Sequence, residues 1–476
     1  MAKEKDLKRR DKILHGDLVS TIVSICAPIF LYNLFNSFYA VIDAVVVARI
    51  DPTSVSAVAA LSQIQHLLSS LGAGVAAGGG IIVARIFGAG DIKDARYHSN
   101  QIISLSTVIV TALLALCLPL AVPIMRISGV SDELIAIGTR YFTVQILTLA
   151  FMFFNSVFMA MQKAKGNTKV MFWLNIAAMI IKLSLSILFI WVMGKKDIMW
   201  VAIATLIGQA AMFAVLLLMM LERDNVFAIK LSEFKLNPNV CKRLFSISFP
   251  IFLGKFVFSF GKVSVNSMCK AYGPLVVGAL GVSNNMNALA TTPINSFEDG
   301  TSTIISQNLG AGNNKRAIRT FVHSFWMASA LGIIGYVLIR FILQDQIIGL
   351  YNQNEMAEGA AEFLALIKSI HRYDSLSILA LAVNAAVLGV LYGYGKTKMT
   401  MVLNISRVFV FRIPVLWYLQ TFHKEIGAEA AGLSMGISNI CIALASLLCL
   451  GIFLLRLRAQ DKSDAFEPSG RVITKQ

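Results

Sequence analysis

Residues 27–50 read APIFLYNLFNSFYAVIDAVVVARI. The stretch is apolar enough to lie in a lipid bilayer, yet it carries one acid, Asp43, near its middle. Asn36 stands seven residues before it and Tyr39 four residues before it, so on a helix the three share a face. Tyr32 and Asn33 lie on the same segment and are further polar candidates for an internal cavity. A carboxylate inside hydrocarbon costs at least about 2.5 kcal/mol, so such residues face a protein interior or a water-filled path and mark functional sites.

The rest of the chain fits that setting. Of 476 residues 57% are hydrophobic and 14% charged, with a mean hydropathy of +0.71, whereas a soluble domain carries about a quarter charged residues. Apolar runs of spanning length recur twelve times, near 18–48, 54–86, 98–125, 133–160, 170–193, 198–221, 241–270, 275–308, 317–344, 358–390, 399–421 and 427–455. They lack the alternation of barrel strands, and the expected fold is all-α and membrane-integral. The net charge of +16 is not read as a nucleic-acid footprint. Most Lys and Arg flank the spans on one side, which puts both termini in the cytoplasm by the positive-inside rule. The opening MAKEKDLKRRDK reads as a positive anchor, and no signal-peptide cleavage site follows it. The six cysteines (Cys26, Cys117, Cys241, Cys269, Cys441, Cys449) are scattered and suggest neither a disulfide framework nor a metal site. The histidines show no metal-ligand spacing.

The chain is written twice. FGAGD at Phe87 returns as LGAGN at Leu309, a displacement of 222 residues. The same displacement carries Pro28 to Pro250, Gly78 to Gly300 and Lys93 to Lys315. Further on, the segment from Phe154 returns at Val383, displaced by 229, with Asn155/Asn384, Gly166/Gly395 and Asn175/Asn404 in step. A repeat of six spans enters the membrane twice in one orientation, so its pseudo-twofold lies along the membrane normal and two lobes flank a central cleft. The expected divisions are 1–225 (first lobe), 226–240 (linker), 241–456 (second lobe) and 457–476 (tail). The GAG turns read as helix stops, with Asp91 or Asn313 capping the next helix. Gly395-Lys396-Thr397 is not a nucleotide loop, because Val390 stands where the first glycine would be and no strand precedes it. Lys163, Lys165, Lys169, Lys396 and Lys398 read as topology charges near lipid headgroups.

With these features together the chain resembles the MATE (multidrug and toxic compound extrusion) transporters, closest to their DinF-like branch. The resemblance runs from about Asp17 to Arg456 and rests on the 27–50 stretch, the paired IIVARIFGAG and IISQNLGAG segments, LYGYGKTK, and NISRVFVFRIP from Asn404. It implies two six-helix lobes, alternating access, and antiport export of multiple drugs and organic cations, amphiphilic small molecules, by a monomer in the plasma or bacterial inner membrane, with H⁺ or Na⁺ as coupling ion and no other cofactor. Asp43 matches the first-helix acid of that branch. The fifth-helix Asn and Asp are replaced by Lys182 and Ser186. The acids of the NorM-like branch in the second half fall on Phe258 and Leu381. A lysine beside Asp43 would compete with Na⁺, which favours H⁺.

Three buried-charge expectations follow. Asp43 and Lys182 form an ion pair, with Asn175 and Ser186 on the Lys182 face. Glu298 and Asp299, in the eighth span, line the second lobe's cavity and neutralise Lys255, Lys262, Arg407 or Arg412, the alternative being a substrate-binding or second proton role. Lys368, Arg372 and Asp374 pair near the outer end of span ten. The alternatives are a flippase for an anionic lipid-linked precursor, an integral-membrane transferase, for which the short basic loops offer no acid cluster, and a passive channel, for which no selectivity filter is seen.

Overall fold

A computed structural model describes residues 2–48, 52–127, 132–195, 197–349 and 360–466. Within these, the side chains at 2, 40–48, 52–60, 63, 133, 134, 137, 231, 274, 360 and 458–466 lie outside the description. Among the described residues the regular structure is helical throughout. In chain order the helices are α1 (Ala2–His15), α2 (Leu18–Ala48), α3 (Pro52–Ala89), α4 (Ile92–Cys117), α5 (Ala121–Ile127), α6 (Asp132–Ala164), α7 (Thr168–Ile187), α8 (Met199–Leu221), α9 (Pro238–Cys269), α10 (Pro274–Ile294), α11 (Ser296–Gly310), α12 (Asn314–Val337), α13 (Gln344–Gly349), α14 (Ala360–Asp374), α15 (Ser377–Gly393), α16 (Thr397–Ser406), α17 (Ile413–Phe422) and α18 (Glu429–Phe466). Wide π turns follow α7 (Leu188–Val192) and α12 (Leu338–Ile342) and join α16 to α17 (Arg407–Arg412).

Ten of these helices, some extended by a π turn, are long and apolar enough to cross a bilayer, and the pair α14–α15, bent by 42° at Ser375–Leu376, makes an eleventh. The twelfth expected span, 275–308, is α10 followed by α11 with a break at Asn295. That break explains how two acids sit there. Glu298 and Asp299 fall in the first turn of α11, where the helix dipole favours negative charge.

The repeat is visible in the backbone. Gly90 and Gly312 have φ of 91° and 76°, and Gly166 and Gly395 have φ of 76° and 74°. Each stops a helix at the same place in both halves, in a left-handed conformation that glycine adopts without penalty. Asp91 caps α4 by accepting from the Asp94 amide at 2.9 Å, as expected, whereas Asn313 makes no side-chain cap.

The halves interlock through their first helices. α2 packs against α7 of its own half and against α10, α11 and α12 of the other, and Ile22, Ile25 and Cys26 are part of the second half's hydrophobic core. α9, the repeat of α2, packs in the same way against α16 of its own half and α3 of the first.

Two expectations fail at the end that carries α1. Lys163 and Lys165 are not solvated topology charges. Lys163 donates to Asp299 at 2.5 Å. Lys165 is buried, pairs with Asp6 of α1 at 3.0 Å and donates to Asn225 at 3.1 Å. Burial pulls the Lys165 pKa below the usual lysine value, and the Asp6 carboxylate opposes that shift. α1 is therefore more than a charged anchor. Arg10 donates to the Gly88 carbonyl at 2.8 Å, and the Ile13 and Gly16 carbonyls accept from Arg316 at 3.1 and 2.6 Å. The helix binds the first half at one side and the second half at the other.

Candidate functional site

The second half encloses a cavity of about 440 Å³ between α9, α10, α11, α15, the 407–412 π turn and α18. Three irregular points of backbone border it: the break at Asn295, the bend after Asp374 and the π turn itself. Non-helical backbone at membrane depth is tolerated where it is buried in protein or lines a water-filled space. The charged residues on the wall are Lys255, Lys262, Arg407 and Arg412 with Glu298, Asp299 and Asp374. A smaller cavity adjoins it between the halves, bordered by Ala77, Lys163, Lys255, Glu298, Asp299 and Tyr392.

The expected neutralisation within the second half is only part of the picture. Asp299 reaches across to Lys163 of the first half, a partner 136 residues away. Among the described residues Glu298, Lys255, Lys262, Arg407 and Arg412 form no ion pair within 4.0 Å. Lys262 and Arg407 instead lie over the ring of Phe258, at 5.0 and 4.8 Å from its centroid. Arg407 Nε donates to Asn439 Oδ1 at 2.7 Å, and Arg412 donates to the same oxygen at 3.0 Å and to Ser438 at 3.0 Å. The arginines thus face α18 and the cavity rather than snorkelling to the surface.

Asp374 was expected to pair with Lys368 or Arg372. It is 2% exposed and accepts from Ser283 at 2.7 Å and Ser377 at 3.1 Å, while Lys368 pairs with Asp345 at 2.9 Å. Asn439 donates to Ser377 at 2.7 Å, so a hydrogen-bonded relay runs from the two arginines to Asp374. Asn439, Ser377 and Ser283 carry no sequence signal of their own. They become visible only when α10, α14–α15 and α18 are brought together.

In the first half, Asp43 lies on α2, but its side chain is outside the described residues, and so is its pairing with Lys182. Lys182, on α7, holds its ammonium 5.0 Å from the centre of the Tyr39 ring. The two residues thus meet one turn of α2 before Asp43. Asn33 donates to the Thr292 carbonyl of α10 at 3.1 Å, joining the halves. Tyr32 is half-buried and Asn36 exposed on the same helix. Asn175 turns back onto the Met171 carbonyl at 2.7 Å. The Ser186 hydroxyl is buried with no hydrogen-bond partner among the described residues. The cavity is thus built by the second half, and among the described first-half candidates Asn33 is hydrogen-bonded to one of its bordering helices.

The family model described as MatE matches this chain twice, over residues 28–188 and 250–418. The chain belongs to the MATE family. Its members are transporters rather than enzymes, and the match favours export over the flippase and transferase readings. Curated relatives include the probable multidrug resistance protein YoeA of Bacillus subtilis (strain 168), 21% identical over 406 residues that cover 83% of this chain and 86% of that protein. Another is the multidrug export protein MepA of Staphylococcus aureus (strain bovine RF122 / ET3-1), 20% identical over 445 residues that cover 92% and 95%. Among solved structures, the outward-facing conformation of a multidrug resistance MATE family transporter superposes with a TM-score of 0.87 at 18% identity, over 94% of this chain and 98% of that one. The fold of this MATE chain is therefore the two-lobe, twelve-helix arrangement expected from its repeat.

Proposed function

We propose that this MATE chain exports amphiphilic small molecules by alternating access, driven by protons that bind and leave Asp43. It does so as a monomer in the bacterial inner membrane, with both termini cytoplasmic. The observation that carries the reading is the asymmetry of the bundle. The end bearing α1 and the GAG turns is closed by contacts between the halves, from Lys163–Asp299 to the Gln307 amide on the Ala164 carbonyl at 2.6 Å, while the second half holds a charged cavity. One access state is sealed by contacts that break if the halves rock apart. The basic flanks of the spans put the sealed end on the cytoplasmic side.

α2 supports the coupling. It has one foot in each half and carries Asp43 beyond its contact with Lys182 through Tyr39. A change of charge there acts on a helix that both halves hold. Purified protein in vesicles with separately imposed H⁺ and Na⁺ gradients tests this. A proton gradient alone is expected to drive uptake of a fluorescent amphiphile into inside-out vesicles, and Asp43→Asn is expected to abolish it. Undiminished proton-driven transport by Asp43→Asn would remove the acid from the mechanism, and transport driven only by Na⁺ would overturn the choice of ion.

A further inference from the structure

In an α-helix, residues five apart point about 140° away from each other. Arg407 and Arg412 are five apart, yet both donate to one atom, Asn439 Oδ1. The π turn over Arg407–Arg412 brings them together, because its wider circuit returns the fifth residue to the starting face. Two guanidinium groups meeting at one amide oxygen repel, and a buried charge needs compensation by counter-charge, hydrogen bonds or solvent.

The protein supplies it at a distance, from two acids, Asp374 and Glu298, facing three cations, Lys262, Arg407 and Arg412. Among the described residues no carboxylate lies within 4.0 Å of either arginine or of Lys262. Asp374 lies within electrostatic reach of both arginines but is bonded to them only through Ser377 and Asn439, and its oxygens already accept from two serines. Asp299 is held by Lys163, and Glu298 acts on Arg407 across the cavity without an ion pair to it. Each guanidinium carries five N–H donors, of which the pair uses three. The remaining arginine nitrogens are not among the buried atoms left without a partner, so they open into the cavity. Arg412 itself is 2% exposed. Leu381, Leu388, Met435 and the Phe258 ring provide an apolar wall beside this cluster.

We infer that the cavity holds the compact anionic group of an amphiphile, a carboxylate, sulfonate or phosphate, on Arg407 and Arg412, with its apolar body along Phe258. Paired guanidinium forks match the geometry of such oxyanions. The site as a cargo site rests on the exporter reading; as a binding site it does not.

Equilibrium binding to the full chain in neutral detergent separates the two. The probes are 2-naphthalenesulfonate and its trimethylammonium counterpart, one aromatic body with opposite charges, titrated by calorimetry. The sulfonate is expected to bind at least about tenfold more tightly than the ammonium, and Arg407→Gln or Arg412→Gln to weaken it at least about tenfold, in line with the loss of a charged hydrogen bond. Competition by a short-chain lysophosphatidic acid that exceeds competition by free sulfonate identifies a lipid headgroup as the source, and the reverse a soluble anion. Equal binding of the two probes, or unchanged sulfonate binding by the folded variants, overturns the proposal. If neither variant folds, the unaltered protein decides: the sulfonate must shield Arg407 and Arg412 from phenylglyoxal, read by peptide mass spectrometry, and lack of shielding overturns the site. A chain that binds the sulfonate but moves nothing across vesicles fails as an exporter and keeps the site. One that exports only the ammonium probe keeps export and loses the site as a cargo site.

Discussion

Gly88 and Gly310, equivalent under the 222-residue displacement, sit at one crossing and touch each other's helix. A methyl on Gly88 would collide with the backbone of Gln307, and one on Gly310 with the carbonyl of Arg85. Arg85 and Gln307 are themselves 222 residues apart. About 15 Å further along the same helices the relation repeats: Gly78 lies against Ser248 and Gly300 against Cys26, and Cys26 and Ser248 are again 222 apart. Contacts in which i meets j and j meets i are the mark of a twofold interface. Here they occur within one chain, across its two halves. The glycines let helix backbones approach closely, and together they seal the end that carries α1.

Alanine scanning separates this role from turn-making. Gly310→Ala and Gly88→Ala put a methyl into opposing backbone, which has no room to move aside, and are expected to hold the halves apart and cut efflux at least about tenfold. Gly312→Ala meets nothing within 4 Å and strains only a residue at φ 76°. It is expected to cost about 1 kcal/mol of stability with efflux retained. Efflux rate and thermal unfolding, measured side by side on the three variants, check the contrast. Full-rate efflux by Gly310→Ala would show that the sealed end is not part of the cycle.

The Lys163–Asp299 pair also spans the halves, at 2.5 Å, with the lysine side chain 14% and the aspartate 48% exposed. A half-exposed partner limits its worth to about 1 kcal/mol. Lys163→Gln or Asp299→Asn is therefore expected to shift the balance between sealed and opened states by about fivefold, and the charge swap Lys163→Asp with Asp299→Lys to restore most of it. Spin labels placed on α6 and α11 near this end would report the two distances. A swap that behaves like the single variants would mean that Lys163 acts by packing and not by charge.

The twelve spans, the duplicated half and the turn glycines were legible because each is a local or periodic signal: spanning length, displacement and a Gly at a helix stop. The partners of the buried charges were not. Lys165 finds Asp6 across 159 residues, and nothing in the sequence near either names the other. The available clue was that Asp6 is followed by Leu7 and shares a helical face with Ile13, so it lies on the side of α1 that packs. Arg407 and Arg412 read as separate residues because α-helical spacing keeps them apart, and a π turn has no clear sequence signature. The displacement makes Gly88 and Gly310 equivalent, but that they cross each other's helix is seen only in the fold.

Asp6 and Lys165 give a stability test with a pH signature. Both side chains are nearly fully buried, 4% and 3% exposed, so Asp6→Asn leaves an ammonium in protein without its paired carboxylate, held by the Asn225 oxygen, the Phe227 ring at 5.8 Å and the more distant Glu222 charge. The expected loss is about 3 kcal/mol. Burial already pulls the Lys165 pKa down and Asp6 opposes it, so the variant's lysine pKa falls further below its unfolded value. Between that folded value and the unfolded one the unfolded chain binds the extra proton, and stability rises with pH. The variant should therefore recover part of its deficit as pH is raised through that window, by more than the parent gains. Thermal unfolding of both proteins across mildly acid to alkaline buffers measures it. A deficit that stays constant with pH would mean that Lys165 is solvated once Asp6 is neutral, and that α1 is held by its carbonyl contacts to Arg316 and by Arg10 rather than by this pair.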